Sequence, residues 1–112
     1  MRVLCLNPPF HPMYSRESRS PSVTKSSTLY WPMFLSYAAG SIEADGNEIL
    51  LLDAPAMELE LSDVLKKAEQ FGAEAALLQT STPSIHQDLL VARSLQERLP
   101  HLRIILMGPH AT

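Results

Sequence analysis

A single cysteine, Cys5, stands in the 112 residues. That excludes an intrachain disulfide and any metal cage built from cysteine alone. Its place inside an apolar run reads as a buried, inert thiol. There are only four glycines. None forms Gly-x-Gly-x-x-Gly after a strand or a Walker loop, so a backbone cradle for a nucleotide diphosphate has no basis. Cys-x-x-Cys, His-Glu-x-x-His and Gly-x-Ser-x-Gly are also missing, which leaves zinc and acyl-transfer chemistry unsupported. No apolar stretch approaches the ~20 residues that a spanning helix needs. The opening run Met1 to Leu6 is too short for a signal peptide before Pro8 interrupts it. A cytoplasmic location is therefore expected. Lys and Arg number 9 against 12 Asp and Glu, a net charge of -3, so nothing favours a nucleic-acid backbone.

What the sequence does hold is a regular alternation. Hydrophobic content is 46%, enough for one small domain with a modest core. Val3-Leu4-Cys5-Leu6, Ile49-Leu50-Leu51-Leu52, Ala75-Ala76-Leu77-Leu78 and Ile104-Ile105-Leu106-Met107 are short, continuous apolar runs. Such runs suit strands buried on both faces of a parallel sheet. Between them lie three helical stripes. Pro32 fits the first turn of one carrying Phe34, Leu35, Ala38, Ala39 and Ile42, with Gly46 as its stop. Ser62 as N-cap, with Asp63 beside it, opens a second carrying Val64, Leu65, Ala68 and Phe71, and Gly72 ends it. Ser84 with Gln87 has the capping-box spacing and opens a third carrying Ile85, Leu89, Ala92, Leu95 and Leu99, which Pro100 stops. This order predicts an α/β fold, an open, doubly wound parallel sheet. The fourth strand has no helix after it, and an exposed edge there would favour pairing with a second copy.

The loops carry the chemistry. In a parallel sheet the segments after each strand emerge at one carboxyl edge, where ligands bind. Asn7-Pro8-Pro9-Phe10 either halts a strand or forms a rigid entrance with Asn7 as donor and acceptor. Residues 7–32 continue as a long loop holding five of the nine prolines, and a loop of that length is functional or disordered. Arg16, Arg19 and Lys25 against Glu17 make it locally cationic. Thr80-Ser81-Thr82-Pro83-Ser84 either caps a helix or offers hydroxyls to an amide-rich or phosphate-bearing ligand. Gly108 would let a flat ligand pass close to the backbone, or simply turn the chain. Asp53 ends the second strand, as a ligand contact or a turn cap. His11 and His110 are candidate metal ligands, although hydrogen bonding is the commoner role of a loop histidine. His86 and His101 read as solvated. Tyr30, Trp31 and Met33 form a bulky cluster that packs the loop or walls a planar ligand.

The series Asn7-Pro8-Pro9, Arg19-Ser20-Pro21, Tyr30-x-Pro32-x-x-Leu35-x-Tyr37-Ala38-Ala39-Gly40, Gly46-x-Glu48, Leu52-Asp53-Ala54-Pro55, Thr80 to Ser84 and Gly108-Pro109-His110-Ala111-Thr112 spans the chain. It resembles the N-terminal cobalamin-binding domain of cobalamin-dependent radical S-adenosylmethionine enzymes. The resemblance implies a Rossmann-like, flavodoxin-like sheet with a fifth strand missing, so that 1–112 would be a partial domain. It implies cobalamin held by Asn7, Pro8, Pro9, Phe10, Asp53, Thr80, Ser81, Thr82, Gly108, Pro109 and His110. It also implies a partner domain carrying a 4Fe-4S cluster and S-adenosylmethionine, in a methyltransferase or a tetrapyrrole or hopanoid biosynthesis enzyme. The Asp-x-His-x-x-Gly motif of other cobalamin proteins is absent, so a histidine ligand to cobalt from that motif is not expected. One cysteine cannot hold the cluster, which places radical chemistry outside this chain. The rival reading is a flavodoxin-like binding or protein-interaction module without corrinoid. A receiver domain is disfavoured because Asn7-Pro8-Pro9 offers no acidic cluster.

Overall fold

The computed structural model describes residues 1–10, 14–15, 22–23 and 33–108. The chain runs β1 (Arg2–Asn7), β2 (Tyr14–Ser15), β3 (Ser22–Val23), α1 (Met33–Ala44), β4 (Glu48–Asp53), α2 (Ala54–Met57), α3 (Leu61–Phe71), β5 (Ala75–Gln79), α4 (Ile85–Arg98) and β6 (Arg103–Met107). The four apolar runs are the four strands of one parallel sheet, in the order β4-β1-β5-β6. Each strand extends one or two residues beyond its apolar run, because backbone pairing continues past the apolar side chains. Tyr14–Ser15 pairs antiparallel with Ser22–Val23, a small ladder inside the segment read as loop.

The sheet is covered on both faces, as a doubly wound α/β fold requires. Alternation along each strand divides the core in two. Leu4, Leu6, Leu52, Ala76 and Leu78 pack with Val64 and Ala68 of α3 and Val91, Ala92 and Leu95 of α4. Val3, Cys5, Ala75 and Leu77 pack on the other face with Leu35 and Ala39 of α1. β1 lies at the centre, hydrogen-bonded on both sides, and every residue from Val3 to Asn7 is buried. β6 is an edge strand, and its Ile105 is 57% exposed.

The helix boundaries correct the sequence reading in four places. A four-residue helix, α2, follows β4 directly, with Pro55 in its first turn. α3 begins at Leu61 behind Glu60, not behind Ser62, because Glu60 and Asp63 form the capping box and Asp63 Oδ2 accepts the Glu60 N–H at 3.0 Å. Ser84 does precede α4, but its hydroxyl caps no backbone amide, so no box with Gln87 forms. Phe34, at 64%, and Leu89, at 46%, are exposed rather than buried in their stripes. Gly46 and Gly72 do end α1 and α3, each at positive φ. Pro32, Tyr30 and Trp31 lie outside the described residues.

Cys5 is fully buried at the centre of β1, and that burial pushes its thiol above the ordinary range. The folded state thus holds the neutral thiol at pH values where the unfolded chain ionises it, so stability declines as pH rises past about 8.5. A disulfide reagent at pH 8 should leave Cys5 unlabelled in the native protein and label it fully in denaturant. Rapid native labelling would contradict this buried placement.

Candidate functional site

Because all four strands of the sheet run parallel, their carboxyl ends share one edge. Asn7 lies opposite Asp53, and Gln79 opposite Met107. The chain passes from β1 to β4 on one side and then to β5 on the other. The order therefore reverses between β1 and β5, the place where open α/β sheets bind ligands. Asn7-Pro8 and Thr80-Ser81 emerge side by side there.

Most polar groups of that edge are held by neighbours within the fold. Asn7 Nδ2 donates to Asp53 Oδ1 at 2.8 Å, tying β1 to β4. Thr80 donates twice to the Met107 carbonyl, from its N–H at 2.7 Å and from Oγ1 at 2.9 Å. These bonds carry β5-β6 pairing one residue past the strand end. Ser81 Oγ lies 2.6 Å from Ser84 Oγ, and Ser84 Oγ donates to Asp88 Oδ2 at 2.7 Å. A hydroxyl has one proton. Since Ser84 gives its proton to the carboxylate, Ser81 must be the donor in the bond to Ser84. The chain is thus polarised from Ser81 through Ser84 to Asp88, and all three residues are buried.

Asp88 was not singled out by the sequence. Its signal was a carboxylate at the spacing of a core position, four residues after Ser84 and four before Ala92. A buried carboxylate is costly without donors, and the serine chain supplies one.

Gly108 follows β6 at φ +132°, and a Cβ there would sit 2.5 Å from both the carbonyl oxygen and Oγ1 of Thr80. The close neighbour of this glycine is therefore the β5 loop. Gly108→Ala should cost at least about 1–2 kcal/mol from the backbone alone. Gly40→Ala, in the exposed part of α1 with nothing within 4 Å of the new Cβ, should instead gain about 0.5–1 kcal/mol. Paired urea titrations check both. A neutral Gly108→Ala would contradict the close approach to Thr80.

Beside the β1 and β4 ends lies a cleft of about 590 Å³, within the range of small-molecule sites. Pro9 and Phe10 line it, together with Pro55, Glu58, Leu59, Glu60, Leu61 and Gln87. The structure therefore divides the expected residues. Pro9 and Phe10 join the cleft. Asn7, Pro8, Thr80 and Ser81 form a buried floor at the strand ends, with Thr82 exposed beside it. Asp53 braces β1, and Gly108 packs on Thr80. Pro109, His110 and His11 lie outside the described residues, as do Arg16, Arg19 and Lys25. His86 and His101 are exposed. Among the described residues no group of three or more His, Cys, Asp or Glu side chains is placed to hold a metal ion. No helix among them is long and apolar enough to cross a membrane.

No model of a known protein family, no curated protein and no solved structure matches this chain.

Proposed function

We propose that the carboxyl edge binds a corrinoid, as part of a cobalamin-dependent radical S-adenosylmethionine enzyme. The observation that carries this is the position of the Asn7-Pro8 and Thr80-Ser81 segments at the reversal of strand order, beneath an edge of short side chains. The residues fit such a group in two respects. The floor between β1 and β5 is closed by Asn7, Pro8, Thr80 and Ser81, all buried, so a broad flat ring has a surface to rest on. Exposed Thr82 and half-buried Phe10 stand beside that floor and offer a hydroxyl and an apolar wall.

When bound, the corrinoid supplies alkyl-transfer chemistry, and the protein supplies position and environment. Asn7, Pro8 and Ser81 set the floor height, Pro9 and Phe10 exclude water at one side, and Thr82 bonds a ligand amide. The 4Fe-4S cluster and S-adenosylmethionine would be held by a further domain, because the chain offers a single thiol, buried under α1.

Adding hydroxocobalamin to the isotope-labelled chain should shift the amide signals of Asn7, Phe10, Ser81 and Thr82 saturably. Ala73 and Leu102, at the opposite edge, should not move. Shifts confined to other residues would contradict the assignment. A rival reading draws on the internal bonding of Asn7, Thr80, Ser81 and Ser84, which favours a flavodoxin-like or interaction module that binds no corrinoid. In that case the same titration leaves the four signals unmoved.

A further inference from the structure

We propose that the cleft beside the β1 and β4 ends binds a small amine with an apolar body. This goes beyond the corrinoid reading, which concerns the neighbouring floor, and does not depend on it. Pro9, Phe10 and Pro55, with Leu59 and Leu61 from the turn into α3, give the cleft apolar walls. Among its described lining residues the charge has one sign. Glu58 and Glu60 line it, and none of its described lining residues is cationic. An anion would meet two carboxylates there, whereas an ammonium would meet Glu58, and Glu60 through the acceptor sites left beside its bond to the Asp63 N–H, next to apolar surface. Gln87 adds an amide that can accept a further N–H. The volume of about 590 Å³ accommodates a ligand of one or two rings.

Glu58 can be replaced without disturbing the backbone. It is the non-glycine residue at positive φ among those described, at φ 54° and ψ 39°, where it closes α2 with its N–H on the Ala54 carbonyl. Glycine would meet that conformation with less strain.

The test uses the full chain with phenethylamine and, as its anionic counterpart, 3-phenylpropionate, read by the amide and methyl signals of Phe10, Leu59, Leu61 and Gln87. The amine should shift these signals saturably and the anion should not. The Glu58→Gln, Glu60→Gln double variant keeps the hydrogen-bonding shape and should weaken the amine by about threefold to tenfold, the scale of two exposed ion pairs. Glu58→Gly should also weaken the amine while leaving the melting temperature unchanged or higher, which separates ligand binding from folding. Equal binding of amine and anion, the absence of saturable shifts, or unchanged amine affinity in the double variant would each overturn the proposal. Pro9 and Phe10 border both places, so the readings are told apart at unshared residues: Leu59, Leu61 and Gln87 report the amine, and Asn7, Ser81 and Thr82 report hydroxocobalamin.

Discussion

Leu95→Ala is expected to lower stability by about 2–5 kcal/mol, the cost of emptying a fully buried leucine site. Leu95 has no exposed surface and belongs to the core cluster that α3 and α4 form on one face of the sheet. The partner measurement is Leu89→Ala, six residues earlier on the same helix. Leu89 is 46% exposed, so its truncation should change stability by no more than about 0.5 kcal/mol. The two leucines are nearly equivalent in the apolar stripe that the sequence suggests, whereas the folded helix presents only one to the core. Urea denaturation of both variants measures the difference. Equal costs would mean that α4 is rotated from the orientation described.

The second large effect concerns Asp88. Asp88→Ala removes the acceptor at the end of the Ser81-Ser84 chain and should cost about 1.5–3 kcal/mol, the scale of a hydrogen bond to a charged group. Asp88→Asn keeps an acceptor oxygen for Ser84 and should cost less. The chain closes the turn between β5 and α4, so the alanine variant should also speed amide exchange at Ser84 and Asp88, whose N–H groups bond Ser81 O and Ser84 O. Stability equal to wild type, with unchanged exchange at those two amides, would mean that the buried chain contributes nothing to the turn.

Asp88 also shows why the sequence reading stopped where it did. Apolar spacing from Ile85 points to Leu89, four residues on, and hydrophobicity alone prefers it to an aspartate. The fold turns Asp88, Val91, Ala92 and Leu95 inward instead, because a buried carboxylate satisfied by Ser84 is compatible with the core. That compatibility depends on where Ser81 and Ser84 lie in three dimensions, and no periodicity records it. The strands were legible for the opposite reason: four uninterrupted apolar runs have few alternatives once α/β alternation is present. α2 was not legible, since four residues carry no period and a proline in the first turn resembles a loop. At α3 two start signals competed. Ser62 is the better N-cap type, but the reciprocal pairing of Glu60 with Asp63 decides the boundary. In the site, the strand-end segments were visible as hydroxyl- and proline-rich loops. Their bonding was not, because Thr80 meets Met107, and Asn7 meets Asp53, only through the register of neighbouring strands.

The measurement that tests corrinoid binding most directly is equilibrium dialysis of hydroxocobalamin against the full chain, with circular dichroism of the same sample to show that it is folded. The account predicts saturable retention on the protein side at one corrinoid per chain. Equal total corrinoid on both sides of the membrane, with the helices and sheet intact, would contradict it.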